Sequence, residues 1–111
     1  QRKIIKTNTM HKITVLYGHP TDTEAFEEYY KNKHLPLAAT MEGVAKLELT
    51  KLLGTPGGQQ AAYYRMAELY FSSPEQMQET MSSPEGQATV DDLSNFATGG
   101  VDVIMGVTET N

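Results

Sequence analysis

The chain has 111 residues, which is long enough for one domain with a single hydrophobic core. It contains no cysteine, which excludes disulfides, thiol catalysis and thiolate metal sites, and it carries a net charge of −5. The first twelve residues hold four basic and no acidic side chains, whereas the remaining 99 residues have a net charge of −9. Such an acidic surface repels phosphate backbones, so nucleic-acid binding is not expected.

The first segment, residues 1–11, is interpreted as a basic, flexible N-terminal arm, and the folded domain is predicted over residues 12–108. The arm has little periodicity, and Met10 is a candidate for the physiological start of the chain. No apolar run approaches the length of a membrane span, and the N-terminus lacks the apolar core of a signal peptide. We therefore expect a cytoplasmic protein that makes no membrane contact.

Three strands are predicted from alternating apolar residues rich in β-branched and aromatic side chains. The first covers Lys12–Gly18, and the second and third cover Val44–Leu53 and Ala62–Phe71. The second and third are joined by Thr55-Pro56-Gly57-Gly58, in which proline and glycine favour a tight turn. This turn lacks the Lys-Ser/Thr that would make it a phosphate-binding loop.

The first helix follows the first strand, and Thr21 or Asp22 is predicted to cap its N-terminus. It is predicted to end at about Leu35, because Pro36 disfavours helical geometry at the residue before it. His34 would then lie in the last turn, where the C-terminal end of the helix dipole favours a protonated imidazole.

Two Ser-Pro pairs, at Ser73-Pro74 and Ser83-Pro84, each predict a helix start with proline in the first position. Gly99-Gly100 ends the helical region, and Val101–Val107 is the last predicted strand. The order is β-α-β-β-α-α-β, so the fold class is α+β. It is a ferredoxin-like βαββαβ arrangement with a four-stranded antiparallel sheet and a second helix broken in two.

Both faces of the predicted sheet are expected to be apolar. The third strand places Ala67 and Leu69 on one face and Met66 and Tyr70 on the other. Helices normally cover only one face of an antiparallel sheet, so the other would expose a large apolar patch. A second copy of the chain is expected to cover that patch, which predicts a homodimer in which two sheets meet as a dimeric α+β barrel.

The first helix carries the candidate active site. Phe26, Tyr30 and Leu37 fall within a narrow arc at helical spacing, and His34 lies at the edge of that arc, one turn after Tyr30. A histidine beside a phenol can act as a general acid or base on a carbonyl or enol. The alternative is that these side chains are packing residues of the core.

This segment, Phe-x-x-Tyr-Tyr-x-x-x-His-x-Pro-Leu, follows a strand that ends in Tyr17-Gly18-His19-Pro20, and the combination resembles the EthD family. The family is named for ethyl tert-butyl ether degradation, and the resemblance covers roughly residues 12–106. It implies the dimeric α+β barrel architecture and a catabolic setting beside an oxidative enzyme system, in an oxidoreductase-associated role.

The predicted site combines catalytic and substrate-binding residues. His34 and Tyr30 are the predicted catalytic pair, and the predicted substrate-binding residues are Phe26, Leu37, Tyr17 and His19. Tyr17 and His19 belong to this set because the end of the first strand borders the cleft between sheet and helices in this fold. No metal site is predicted, since no His-x-x-x-His spacing occurs. No cofactor is expected, and haem ligated by His34 is the alternative.

Three hypotheses about function stay open on the sequence alone. The first is an enzyme that acts on a small apolar or aromatic compound, either by monooxygenase-like oxygenation of a reactive anion or by isomerase- or cyclase-like proton transfer. The second is a non-catalytic module that binds a small hydrophobic molecule, and the third is an accessory subunit. A cavity that reaches His34 would favour the first two hypotheses, and a filled core would favour the third.

Overall fold

The computed structural model describes residues 9–109. Most of the predicted arm lies outside these residues, although its last residue, His11, begins the first strand. In chain order the elements are β1 (His11–Tyr17), α1 (Thr23–Tyr29), a π-helical turn (Tyr30–His34), α2 (Leu35–Ala38), β2 (Lys46–Lys51), β3 (Arg65–Phe71), α3 (Pro74–Ser82), α4 (Pro84–Asp92), a 3₁₀ turn (Leu93–Asn95) and β4 (Val101–Val107).

The four strands form one antiparallel sheet in the order β2-β3-β1-β4, which confirms the predicted ferredoxin-like topology. At the centre of the sheet, Val15 lies opposite Ala67 on one side and Val103 on the other. The second helix is broken in two as predicted. Ser83 has extended backbone angles that end α3, and its side chain accepts a hydrogen bond from the Gly86 N–H at the start of α4.

The first helical region extends past its predicted end at Leu35. After α1 the backbone forms a π-helical turn, in which the Leu35 N–H donates to the carbonyl of Tyr30, five residues earlier. Pro36 then lies in the first turn of α2, where the lack of an N–H is tolerated. The helical region therefore continues to Ala38. His34 lies inside it and not at its C-terminus, so the predicted placement of His34 in the last turn was wrong.

The π-helical turn also changes which side chains of this region face the core. Leu35 and Ala38 pack against the core, whereas Leu37 is only partly buried and does not contact it. One additional residue in a turn shifts the following positions by roughly 100° around the helix axis. The predicted stripe therefore breaks after Tyr30, and Leu37 does not continue it.

The core lies between the sheet and the helices and is rich in aromatic rings. Phe96, just after the 3₁₀ turn, lies within 5.6 Å of the Tyr17 ring, 5.2 Å of the Phe26 ring and 5.9 Å of the Tyr30 ring, measured between centroids. Offset and edge-to-face aromatic pairs at such distances add to the stabilisation from buried area. The segment after α4 is thereby fixed against β1 and the first helix.

The backbone after Phe96 passes very close to the end of β1. The Gly18 N–H donates to the Gly100 carbonyl at 2.9 Å, and a Cβ atom on Gly18 would overlap the backbone of Gly99. A Cβ atom on Gly99 would likewise overlap the backbone of His19. Glycine is required at both positions because only a residue without a side chain permits this approach.

The outward face of the sheet is mixed, whereas the sequence predicted an apolar one. Lys12 on β1 forms an ion pair with Glu68 on β3 at 2.6 Å, and the Tyr70 hydroxyl donates to the Glu48 carboxylate at 2.8 Å. The apolar side chains of this face come from β1, β3 and β4, and they are Leu16, Met66 and Ile104. Charged side chains of β1, β2 and β3 are interleaved with them, so part of the face is polar and can contact water without a partner chain.

The helices of the described residues are too short or too polar to span a membrane.

Candidate functional site

A cavity of about 370 Å³ lies between the helices and the covered face of the sheet. Apolar side chains of all four strands, of α2 and of α4 form most of its wall. Among the polar lining residues, Tyr17 and Tyr30 contribute phenol rings and His34 contributes an imidazole. A largely apolar cavity with a few polar groups is the usual form of a small-molecule site.

His34 is held in the cavity wall by a carboxylate from the other helical region. It is 5% exposed, and its Nδ1 lies 2.9 Å from the Oδ2 atom of Asp92, at the end of α4. The imidazole also packs on Phe96, with ring centroids 4.6 Å apart, and lies nearly parallel to the Tyr30 ring at 6.0 Å. The ring orientation is therefore fixed by one hydrogen bond and two ring contacts.

Asp92 is ionised in this arrangement. Its burial acts to raise the pKa of the carboxyl, but hydrogen bonds donated by Tyr29, Asn95 and His34 outweigh the burial and hold this pKa below its ordinary value. A carboxylate only accepts hydrogen bonds, so the proton between the two side chains lies on Nδ1 of His34. In the neutral imidazole, Nε2 then carries a free lone pair.

The Nε2 atom is the group of this site that can react with a ligand. No group among the described residues hydrogen bonds to it, and the imidazole forms part of the cavity wall. A histidine oriented by a carboxylate on Nδ1, with Nε2 free, is arranged as a general base or acid.

Tyr30 differs from His34 in the accessibility of its polar atom. Its ring contributes to the cavity wall, but its hydroxyl oxygen is enclosed by protein and has no hydrogen-bond partner among the described residues. Burial raises the pKa of this phenol to about 12, so the hydroxyl stays protonated. The guanidinium of Arg65 lies over the ring face, 4.8 Å from the centroid, but makes no hydrogen bond to the hydroxyl.

The predicted substrate-binding residues occupy different positions around the cavity. Tyr17 lines it, and its hydroxyl has no hydrogen-bond partner among the described residues. Burial raises the pKa of this phenol, which leaves its O–H as a donor. Phe26 is buried behind Tyr30 and is outside the lining, as is Leu37. His19 lies outside it too, with Nε2 hydrogen bonded to the Ala61 carbonyl at 2.7 Å.

Sequence reasoning missed two residues of this site, Asp92 and Phe96. Asp92 ends α4 and Phe96 follows the 3₁₀ turn, about sixty residues from His34 along the chain, and only the tertiary fold brings them to it. The available signal was the sequence Val90-Asp91-Asp92-Leu93, in which an acidic pair stands between apolar residues inside the helical stretch predicted before Gly99. Among the described residues, no group of three or more His, Asp or Glu side chains is placed to hold a metal ion.

Behind the cavity, an ion pair joins the first helix to β3. The Arg65 guanidinium donates two hydrogen bonds to the Glu27 carboxylate, at 2.9 and 3.1 Å, and the Tyr64 hydroxyl donates a third at 2.7 Å. The hydrogen bonds from Arg65, and then that from Tyr64, hold the pKa of Glu27 below its ordinary value in spite of its burial. The pair fixes the helix that carries His34 against the sheet.

This lowered pKa predicts an acid-sensitive contribution to stability. Because the pKa of Glu27 is lower in the folded than in the unfolded protein, its contribution is complete above the unfolded value and is lost as the pH falls through the folded value. We expect Glu27→Gln to reduce the free energy of unfolding by about 1–3 kcal/mol at neutral pH, with the difference shrinking in acid. Calorimetric melts from neutral to acidic pH test this prediction. Glu28→Gln, at an exposed neighbouring position, is the control and should have no such effect.

Comparison with known proteins identifies relatives along nearly the whole chain. Residues 18–100 match the model of the EthD domain. An uncharacterized 11.0 kDa protein of Rhodococcus erythropolis, from the thcB-thcC intergenic region, is 38% identical over 101 residues, which cover 91% of this chain and 97% of that protein.

Solved structures agree with this assignment. The crystal structure of an ethyl tert-butyl ether degradation (EthD) family protein from Bacillus halodurans is 34% identical, covers 91% of this chain and 99% of its own, and superposes with a TM-score of 0.84. The hydroxynitrile lyase of Passiflora edulis is 11% identical with a TM-score of 0.72, covering 94% of this chain and 96% of its own. At that identity the likeness shows a common fold alone.

Proposed function

This chain belongs to the EthD domain family, and we propose that it binds a small neutral apolar compound and transfers a proton on it, with His34 as the acid/base group. The observation that supports this most strongly is the free Nε2 of His34, in the wall of an apolar cavity, with Asp92 bound to the opposite ring nitrogen. The family is named for the degradation of an ether, and we place the reaction in the catabolism of such apolar compounds.

The charge and size of the cavity support a neutral ligand of one or two rings. Lys46 is the only lysine or arginine in the described lining of the cavity, and its ammonium group lies 3.5 Å from the carboxylate of Glu48. A ligand charge inside the cavity would therefore lose its hydration without gaining a counter-ion. A volume of about 370 Å³ is near the lower end for small-molecule pockets.

We propose proton abstraction next to a carbonyl as the chemical step. Nε2 takes the proton from the carbon adjacent to the carbonyl, the electron pair of that C–H bond forms the C=C bond of an enolate, and the negative charge moves to oxygen. The O–H of Tyr17 is the donor for that oxygen, since it lines the cavity and is otherwise unpaired. Return of the proton to the same or another carbon completes exchange or isomerisation, and the step needs no oxidant or cofactor.

Solvent deuterium incorporation tests this chemistry without knowledge of the natural substrate. The protein is incubated in heavy water with a panel of small aryl ketones, and incorporation at the carbon beside the carbonyl is followed by mass spectrometry. We expect incorporation faster than in matched buffer. Binding without incorporation for every ketone of the panel would contradict the proposed chemistry and support the alternative, a non-catalytic module that stores or carries an apolar compound.

The cavity itself is tested by blocking its entrance. Val90 lines the cavity and is 45% exposed, so a larger side chain fits there without entering the core. We expect Val90→Trp to weaken binding of prodan, a neutral two-ring aryl ketone fluorophore, at least tenfold, measured by fluorescence titration. Leu53→Trp is the matched control, because Leu53 is 95% exposed and lies outside both the cavity lining and the strands. Equal binding by both variants would contradict a ligand site in this cavity.

We further propose that two copies of the chain associate through the outward sheet face and the adjoining strand β4. β4 lies at the sheet edge, and no strand among the described residues pairs with its outer side. Its exposed apolar side chains are Ile104 on the outward face and Val103, Met105 and Val107 on the opposite side of the strand. A long exposed apolar edge strand is usually covered in a stable protein. A second copy of the same surface supplies that cover with two-fold symmetry.

Light scattering measures this association. At micromolar concentration we expect a mass about twice the 12.3 kDa of one chain. Ile104→Lys, which places a charge on the outward face, should shift the protein to the monomer, while Leu53→Lys, at an exposed position outside the strands, should not. A monomeric mass for the unaltered protein would rule out the dimer.

A further inference from the structure

The carboxylate that holds His34 is held in turn by a second residue of the same helical region. The Tyr29 hydroxyl donates to Oδ1 of Asp92 at 2.6 Å, and Nδ1–H of His34 donates to Oδ2 at 2.9 Å. The Asn95 amide donates to Oδ1 at 2.9 Å. Both carboxylate oxygens are therefore engaged, and Asp92 cannot rotate without breaking two or more hydrogen bonds.

The spacing of Tyr29 and His34 is unusual for two residues that bind one group. They are five positions apart, and in a regular α-helix such positions lie roughly 140° apart around the axis, on different faces. In the π-helical turn between them, the backbone hydrogen bonds join residues five positions apart, as the bond from the Leu35 N–H to the Tyr30 carbonyl shows. This wider turn brings the fifth residue back to the face of the first.

We propose that the π-helical turn and Tyr29 form a positioning device for His34. This device holds the Asp92 carboxylate on the Nδ1 atom of the imidazole, so that Nε2 faces the cavity with its lone pair. This inference rests on the proposed function of His34 and adds to it a residue that touches no ligand. Tyr29 is absent from the cavity lining, so it acts through Asp92.

The packing around the device supports a role in orientation. The Tyr29 ring stacks on Phe96 with centroids 5.2 Å apart and planes 16° apart, and the imidazole contacts the same Phe96 ring at 4.6 Å. Tyr29→Phe keeps this stack and removes only the hydroxyl. π-helical turns are rare and are often found at functional sites, which agrees with a role for this turn in placing His34.

The first test is the exchange of the His34 Nδ1–H proton with solvent, measured by nitrogen-15 NMR in mildly alkaline solution. We expect Tyr29→Phe to accelerate this exchange roughly tenfold or more, because one hydrogen bond to a charged group is lost. The melting temperature should stay close to that of the unaltered protein. Tyr63→Phe is the matched control, since it removes a phenol–carboxylate bond to Asp102 away from the cavity. Equal exchange rates in Tyr29→Phe and Tyr63→Phe would overturn the positioning role of Tyr29.

The second test changes the number of residues in the turn. Insertion of one alanine after the exposed Asn32 places His34 six positions after Tyr29, a spacing that neither an α-helical nor a π-helical turn returns to the same face, so the protected Nδ1–H signal should be lost. Deletion of Asn32 places His34 four positions after Tyr29, which α-helical spacing does return to that face, so the deletion variant should keep the signal, as should Asn32→Ala. A folded insertion variant with the signal intact, or a folded deletion variant without it, would overturn the role of the turn. These signals are measured without ligand, so a protein that passes both tests but exchanges no ketone deuterium refutes the proposed function and not the device.

Discussion

His34→Gln should lower ketone deuterium incorporation by roughly a hundred- to ten-thousandfold, the range that general acid/base groups contribute. Glutamine has nearly the volume of histidine and can still accept or donate a hydrogen bond, but its amide does not take a proton. Binding of prodan should therefore stay within a few-fold of the unaltered protein. Mass spectrometry of the ketone and fluorescence titration of the dye measure the two effects on one sample.

Two further variants locate this loss in the proposed mechanism. Tyr17→Phe removes the donor for the enolate oxygen and should cost on the order of a hundredfold in the same assay. Tyr30→Phe should cost much less, because the hydroxyl it removes is enclosed and unpaired. If His34→Gln incorporates deuterium as fast as the unaltered protein, the imidazole is structural.

Phe96→Ala should have the largest effect on stability. Phe96 is 4% exposed and lies in contact with the rings of Tyr17, Phe26, Tyr29, Tyr30 and His34. Truncation of a buried phenylalanine costs about 3–5 kcal/mol, which is a large part of the stability of a domain of this size. Chemical denaturation measures the loss.

The controls for Phe96→Ala separate packing from exposure. Phe96→Leu should cost less, because it retains most of the buried volume. Leu53→Ala, at a side chain that is 95% exposed, should change the free energy of unfolding by less than about 0.5 kcal/mol. A loss below about 1 kcal/mol for Phe96→Ala would show that the ring cluster is not the support of the site.

The order of strands and helices could be predicted because its signals are local. Alternation marks the strands, and the two Ser-Pro pairs mark helix starts through caps that involve only the next three residues. The Gln76 N–H donates to the Ser73 hydroxyl oxygen, and the Gly86 N–H donates to that of Ser83. The predicted break between α3 and α4 is confirmed for the same reason. These features depend on backbone chemistry within one turn of the chain.

The turn at His34 and its partner could not be predicted in the same way. The rule that a residue before proline leaves the helix failed at Leu35, because the π-helical turn moves Pro36 into the first turn of a new helical segment. Asp92 reaches His34 only through the packing of α4 beside the first helical region, and no spacing in the sequence encodes that contact. Charged residues of β1, β2 and β3 were likewise overlooked on the outward face.

The central claim is that an apolar compound lies in the cavity with its reacting hydrogen at Nε2 of His34. A crystal structure of the protein soaked with a ketone that incorporates deuterium tests this most directly. We predict the ketone between the helices and the sheet, with its acidic carbon within van der Waals contact of Nε2 and its oxygen about 3 Å from the Tyr17 hydroxyl. A cavity filled by protein side chains, or a ketone bound away from His34, would contradict the claim.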